Sequence, residues 1–151
     1  MTPEVIHALI LRDFAETEAH ESWGETSLFC NPGGRFARGT YFLTLKSKDG
    51  ANDRASALDR PGVFRMSFGL PREPFEALFG RPPARPAKGG VIEGPWDFTQ
   101  QGQLMPHPVY GWMSWVCILN PSATDLAEHM PLIRAAHAKA LKTFERRVRS
   151  K

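Results

Sequence analysis

The segment TSLFCNPGGRFARGTYFLTLK, residues 26–46, carries the architecture in its pattern. Residues 26–30 form a short strand-like run. Asn31-Pro32-Gly33-Gly34 then ends it with turn chemistry, because proline presets one backbone angle and glycine accepts left-handed ones. Beyond the turn Tyr41, Leu43 and Leu45 alternate with Phe42, Thr44 and Lys46, the period-two pattern of a strand with one buried face. Strands joined by so short a connection pair as antiparallel neighbours. A third alternating run at residues 63–68 sets Phe64, Met66 and Phe68 against Val63, Arg65 and Ser67.

Helical patterns flank these strands. Thr2 is an N-cap, Pro3 fits the first helical position and Glu4 suits the positive end of the helix dipole. Val5, Ile6, Leu9, Ile10 and Phe14 follow on one face, and the helix is expected to end in the acidic stretch after Asp13. A short helix is predicted near Pro74, with Phe75, Leu78 and Phe79 sharing a face and Gly80 as the stop. Residues 81–90 (RPPARPAKGG) read as an irregular, mobile loop, and residues 91–98 as a ragged strand confined to an edge by Pro95.

Residues 112–119 (WMSWVCIL) are the most hydrophobic segment and predict a strand covered in part on both faces. Asn120-Pro121 breaks it, and Ser122 or Thr124 caps a short helix carrying Leu126. Pro131 starts a new helix or kinks the first. Ile133, Ala136, Ala140, Leu141, Phe144 and Val148 then trace one apolar face. These patterns predict an α+β, two-layer sandwich in one domain over residues 1–151, with a mainly antiparallel sheet and the N- and C-terminal helices on one face.

Composition agrees with a globular chain. Of 151 residues, 42% are apolar, 23% charged and 11% aromatic, which excludes disordered, collagen-like and coiled-coil chains. The two cysteines, Cys30 and Cys117, are too few for a disulfide framework or a four-cysteine zinc site, and both fall in predicted strands, where burial outranks reactivity. No apolar run reaches the roughly 18 residues of a membrane span, and Glu4 stands where a secretory signal carries bases. The expectation is a cytoplasmic, soluble protein without a membrane partner. The net charge of +3 hides a segregation: residues 1–30 hold six acids and one base, whereas residues 134–151 hold seven bases and one acid.

Two stretches carry a resemblance. Asp59-Arg60-Pro61-Gly62-Val63-Phe64-Arg65 and His107-Pro108-Val109-Tyr110-Gly111-Trp112-Met113-Ser114-Trp115 resemble a family known only as domain of unknown function 6194, over nearly the whole chain. A broader likeness, in the N-terminal helix, Trp23-Gly24-Glu25 entering a hairpin, the Leu104-Met105-Pro106-His107-Pro108 approach and paired C-terminal helices, is to the MmcQ/YjbR-like family. That likeness implies a CyaY-like sandwich with antiparallel strands and brings with it a DNA-binding label that no residue motif carries.

The chemistry centres on His107, Tyr110, Trp112 and Trp115. Prolines before a strand entrance can hold an imidazole at the mouth of a cleft whose aromatic walls suit a planar ligand. The alternative is that the tryptophans fill the core and His107 caps a carbonyl. Arg65 is a candidate for bidentate recognition of an anion, or else a solvent-facing arginine paired with Asp59 or Glu25. Trp23 and Glu25 complete the candidate ligand site. The basic C-terminal helix, through Lys142, Arg146, Arg147 and Arg149, offers phosphate contacts as the nucleic-acid alternative, although the macrodipole favours bases there in any case.

Asp13, Glu16 and His20 would line one helix face if the first helix continued, but a solvated acidic face accounts for them better, since exposed carboxylates without a closed geometry bind metal weakly, and no metal or cofactor is expected. HExxH, GxSxG, Walker, GxGxxG and CxxC signatures are absent. The reading is a non-enzymatic module binding a small molecule or protein partner, with nucleic-acid binding and an enzyme of unknown reaction as alternatives.

Overall fold

The computed structural model describes residues 1–150. Helix α1 spans Pro3–Asp13, and the Thr2 hydroxyl accepts the Val5 N–H at 3.2 Å, one of the four donors a helix start leaves unpaired. Strand β1 (Thr17–Ser22) and β2 (Glu25–Cys30) form a hairpin across Trp23 and Gly24, both at positive φ. A two-residue turn of that geometry matches the twist of its strands. Then come a 3-10 turn at Pro32–Gly34, β3 (Thr40–Lys46), β4 (Arg65–Gly69) and helix α2 (Arg72–Phe79). The chain closes with β5 (Met105–Pro106), a 3-10 turn at Gly111–Met113, β6 (Trp115–Leu119) and helix α3 (Ala123–Arg149).

The six strands run in the order β1-β2-β3-β4-β6-β5, each antiparallel to its neighbour. One sheet face buries Leu28, Leu43, Leu45, Met66, Phe68, Val116 and Ile118 against Ile6 and Ile10 of α1 and Ile133, Ala136 and Ala140 of α3. This is the predicted α+β arrangement, with terminal helices on one face.

Several expectations change in detail. The acidic stretch after α1 is the edge strand β1, so Asp13, Glu16 and His20 share no helix face. Residues 91–98 form no strand; Ile92 is buried and its N–H donates to the Pro108 carbonyl at 2.9 Å. The strand expected at residues 112–119 begins only at Trp115, because the chain turns through the 3-10 segment and a left-handed Ser114. The C-terminal segment is one helix. Ser122 caps it in a reciprocal box with Asp125, and Pro131 sits inside its length. An interior proline costs about 3 kcal/mol, which the long apolar face packed on the sheet offsets.

The β2–β3 pairing also holds a bulge: Leu28 faces Leu43 while Phe29 faces Tyr41, so Phe42 is an extra residue. Phe42 therefore joins Leu43 and Leu45 in the core, and Tyr41, expected on their side, turns to the opposite face. That face carries no helix. Strand alternation and register arrange it in rows: Glu25, Lys46 and Arg65; then Ser27, Thr44, Ser67 and Cys117; then Phe29, Tyr41, Gly69 and Trp115.

Candidate functional site

The first row is organised by a buried ion pair. Arg65 is 1% exposed, and its Nη1 donates to Asp53 Oδ1 at 2.9 Å and to Ser56 Oγ at 3.1 Å, while Nη2 donates to Asp53 Oδ2. Burial alone would raise the Asp53 carboxyl, but the hydrogen bonds and charge of Arg65 carry it below the usual carboxylate range. The loop supplying Asp53 and Ser56 is braced from within. Asp49 accepts the Leu58 N–H, Asp59 accepts the Asp49 N–H, and Arg60 donates to the carbonyls of Ala57, Ser56 and Thr99. Asn120, at positive φ, clasps the loop's end by accepting the Phe64 N–H and donating to the Gly62 carbonyl.

His107 follows β5. Its backbone N–H donates to the Trp115 carbonyl at 2.9 Å, and its ring is 3% exposed. Nδ1 accepts two backbone N–H groups, from Val109 and Tyr110, each at 3.1 Å. Two donors on one ring nitrogen fix the tautomer, so the proton sits on Nε2, which makes no hydrogen bond within the protein. Burial, helped by the nearby Arg65 charge, holds the imidazole well below its usual pKa. His107 is thus a neutral, oriented donor. Its midpoint is expected well below the ordinary imidazole value of about 6.5, with the proton on Nε2 at neutral pH, both read from imidazole nitrogen shifts in an NMR titration; an ordinary midpoint would contradict this.

Trp115 forms the far wall. Its indole stacks on Tyr41 with centroids 5.1 Å apart and planes at 28°, and Phe29 lies against Tyr41 at 5.9 Å. Gly69 makes room for it: a Cβ there would stand 2.7 Å from the indole. Below Trp115, the Cys117 thiol contacts the Pro106 carbonyl, and burial pushes it up to about 12, which removes it as a nucleophile.

These groups enclose a cavity of about 310 Å³ on the helix-free face. Five of the residues singled out in the sequence line it together: His107, Tyr110, Trp115, Arg65 and Glu25. Trp112 does not. It borders a neighbouring hollow of about 300 Å³, where the Arg85 guanidinium lies 4.7 Å over its ring and ties down part of the irregular 81–90 segment. Trp23 does not either, being 93% exposed at the hairpin tip. Arg65 is neither solvent-facing nor paired with Asp59 or Glu25; its partner is Asp53. Sequence reasoning also missed Ser27, Phe29, Arg38, Tyr41 and Thr44. The signal for most of them was the polar alternation of β2 and β3, which marks a second face as well as a core. A larger hollow of about 940 Å³ lies between α1 and the turn before β4, and Asp59, Arg60 and Asn120, which border it, already bond the backbone of the loop.

Comparison with known proteins finds one family whose pattern matches residues 1–149. The chain belongs to DUF6194, a family of unknown function. No curated protein and no solved structure matches it. In this DUF6194 chain the two stretches of family-like sequence converge on the cavity: residues 59–65 end at Arg65, and residues 107–115 run from His107 to Trp115.

At the basic end of the DUF6194 chain, two arginines have partners within the protein. The Arg147 guanidinium lies 4.1 Å over the Phe36 ring and donates to Thr40 Oγ1 and the Arg38 carbonyl. Arg146 donates to Thr143 Oγ1 of the same helix. Lys142 and Arg149 are exposed. No described helix is long and apolar enough to cross a membrane.

Proposed function

We propose that the protein is a binding module for a small organic molecule, held on the helix-free face of the sheet by the cavity between Arg65–Asp53, His107 and the Tyr41–Trp115 stack. The observation that carries this reading is His107. Its Nδ1 is saturated by two backbone donors, and its Nε2–H, without a partner in the protein, belongs to a residue lining the cavity. A group held that way is oriented to give a hydrogen bond, and it has no free lone pair with which to act as a base. Recognition fits it better than catalysis. The aromatic side chains Phe29, Tyr41, Tyr110 and Trp115 offer flat walls to a ligand, and the polar side chains between them can fix its orientation.

A thermal-shift and calorimetry screen over amines, carboxylic acids and nucleosides tests the reading, with Tyr110→Ala as control. Tyr110 is 46% exposed at the cavity rim, and the N–H it gives His107 is backbone and survives the substitution. The expected result is a compound that stabilises the protein and binds at least about tenfold more weakly to Tyr110→Ala, one stacking contact being worth about 1–3 kcal/mol. Hits that bind Tyr110→Ala unchanged, or no hits at all, would sink the proposal.

The nucleic-acid alternative has less support. Phosphate contact needs free cations, and Arg147 is committed to Phe36, Thr40 and Arg38. The MmcQ/YjbR-like relationship rests on sequence resemblance and supplies no residue for that surface.

A further inference from the structure

We infer that the ligand of this cavity is a small zwitterion, with its cationic and anionic groups set at opposite ends of an aromatic or apolar body. The inference rests on the binding-module reading and specifies the chemistry of its ligand.

Among the cavity's charged groups, Arg65 and Asp53 neutralise each other through paired hydrogen bonds. That leaves Glu25, whose charge also acts on Arg65 and which faces Lys46 across the strands, and Arg38. Both line the cavity, and neither side chain makes a hydrogen bond or an ion pair. The register separates them. Glu25 begins β2 opposite Lys46, whereas Arg38 lies two residues before β3, whose first residue Thr40 faces Cys30 at the other end of β2. The four steps of strand from Glu25 to Phe29 already span about 13 Å.

A ligand that meets both charged groups therefore needs an extended body between its own charged ends. The wall along that body is the Tyr41–Trp115 stack with Phe29, and His107 offers its Nε2–H beside it. A singly charged ligand would satisfy one end and leave the other facing unlike chemistry. A doubly anionic or doubly cationic one would meet a like charge. A zwitterion satisfies both.

The probes are 4-(aminomethyl)benzoate, its methyl ester, which keeps only the cation, and its N-acetyl derivative, which keeps only the anion. Calorimetry is run on the wild type, Glu25→Gln, Arg38→Gln and Tyr110→Ala. The wild type is expected to bind the zwitterion about tenfold more tightly than either derivative, the usual worth of a charge-assisted hydrogen bond. Glu25→Gln should erase the preference over the N-acetyl compound, and Arg38→Gln the preference over the ester. Equal binding of all three probes, lost in Tyr110→Ala, would overturn the zwitterion and leave the site standing. Preference for one singly charged derivative would do the same. Failure of the probes and of the wider screen together would overturn both.

Discussion

Replacing Asp53 by alanine is expected to lower the unfolding free energy by about 3–5 kcal/mol, a fall of roughly 10 °C or more in Tm for a chain of this size. The reason is the residue left behind. Arg65 is 1% exposed and cannot shed its proton, so without Asp53 a full charge stays buried with only the Ser56 hydroxyl for a partner. Removing both partners together, as Arg65→Met with Asp53→Leu, should recover most of the loss, because an apolar pair of similar volume has no charge to desolvate. Thermal or urea melts of the single and double variants separate the two effects; equal losses in both would show that shape, and not charge, is what the pair supplies.

The pair also sets a pH signature. Asp53 is held below its usual pKa in the folded protein, so its contribution is complete above the unfolded carboxylate range, near pH 4, and fades as pH falls through the lower folded value. The gap between wild type and Asp53→Ala should therefore be widest at neutral pH and narrow in acid. A gap that widens on acidification would reverse the assignment.

Gly69→Val is the second large effect, and its sign is the informative part. In a strand interior glycine is normally a liability, and valine gains about 0.5–1 kcal/mol. Here a Cβ would stand 2.7 and 2.8 Å from Trp115 indole atoms, closer than carbon atoms settle. The indole has little room to retreat, being stacked on Tyr41. The expected loss is about 2–3 kcal/mol from overpacking, with a changed near-ultraviolet signal from Trp115 and a cavity wall out of place. A stabilised Gly69→Val variant with native tryptophan spectra would contradict the placement of Trp115.

What the sequence disclosed follows from where burial leaves a pattern. β3, β4 and the apolar face of α3 were legible because each puts large side chains on a single core. β1 was not, because TEAHES, an edge strand, contributes only Ala19 to the margin of that core and shows no apolar alternation. Pro131 looked like a boundary because local propensity opposes it, while the tertiary contacts of Ile133 and Ala136 override that preference. At the site, the His107–Trp115 segment announced itself by its unusual residues. Asp53 did not: it is one of several acids in a polar loop, and only the folded loop shows that it, and neither Asp59 nor Glu25, meets Arg65.

β1 has a further consequence for how copies of the chain meet. It is an outer strand of the sheet, so one row of its backbone donors and acceptors is unpaired by the fold, an open template on which another strand could add. Glu18 and Glu21 lie along it, and Glu16 just before it. A second copy docking there edge to edge would bring like charges face to face, which is destabilising in a strand pair. The acidity of this stretch thus opposes the addition of a second copy's β1 along that edge.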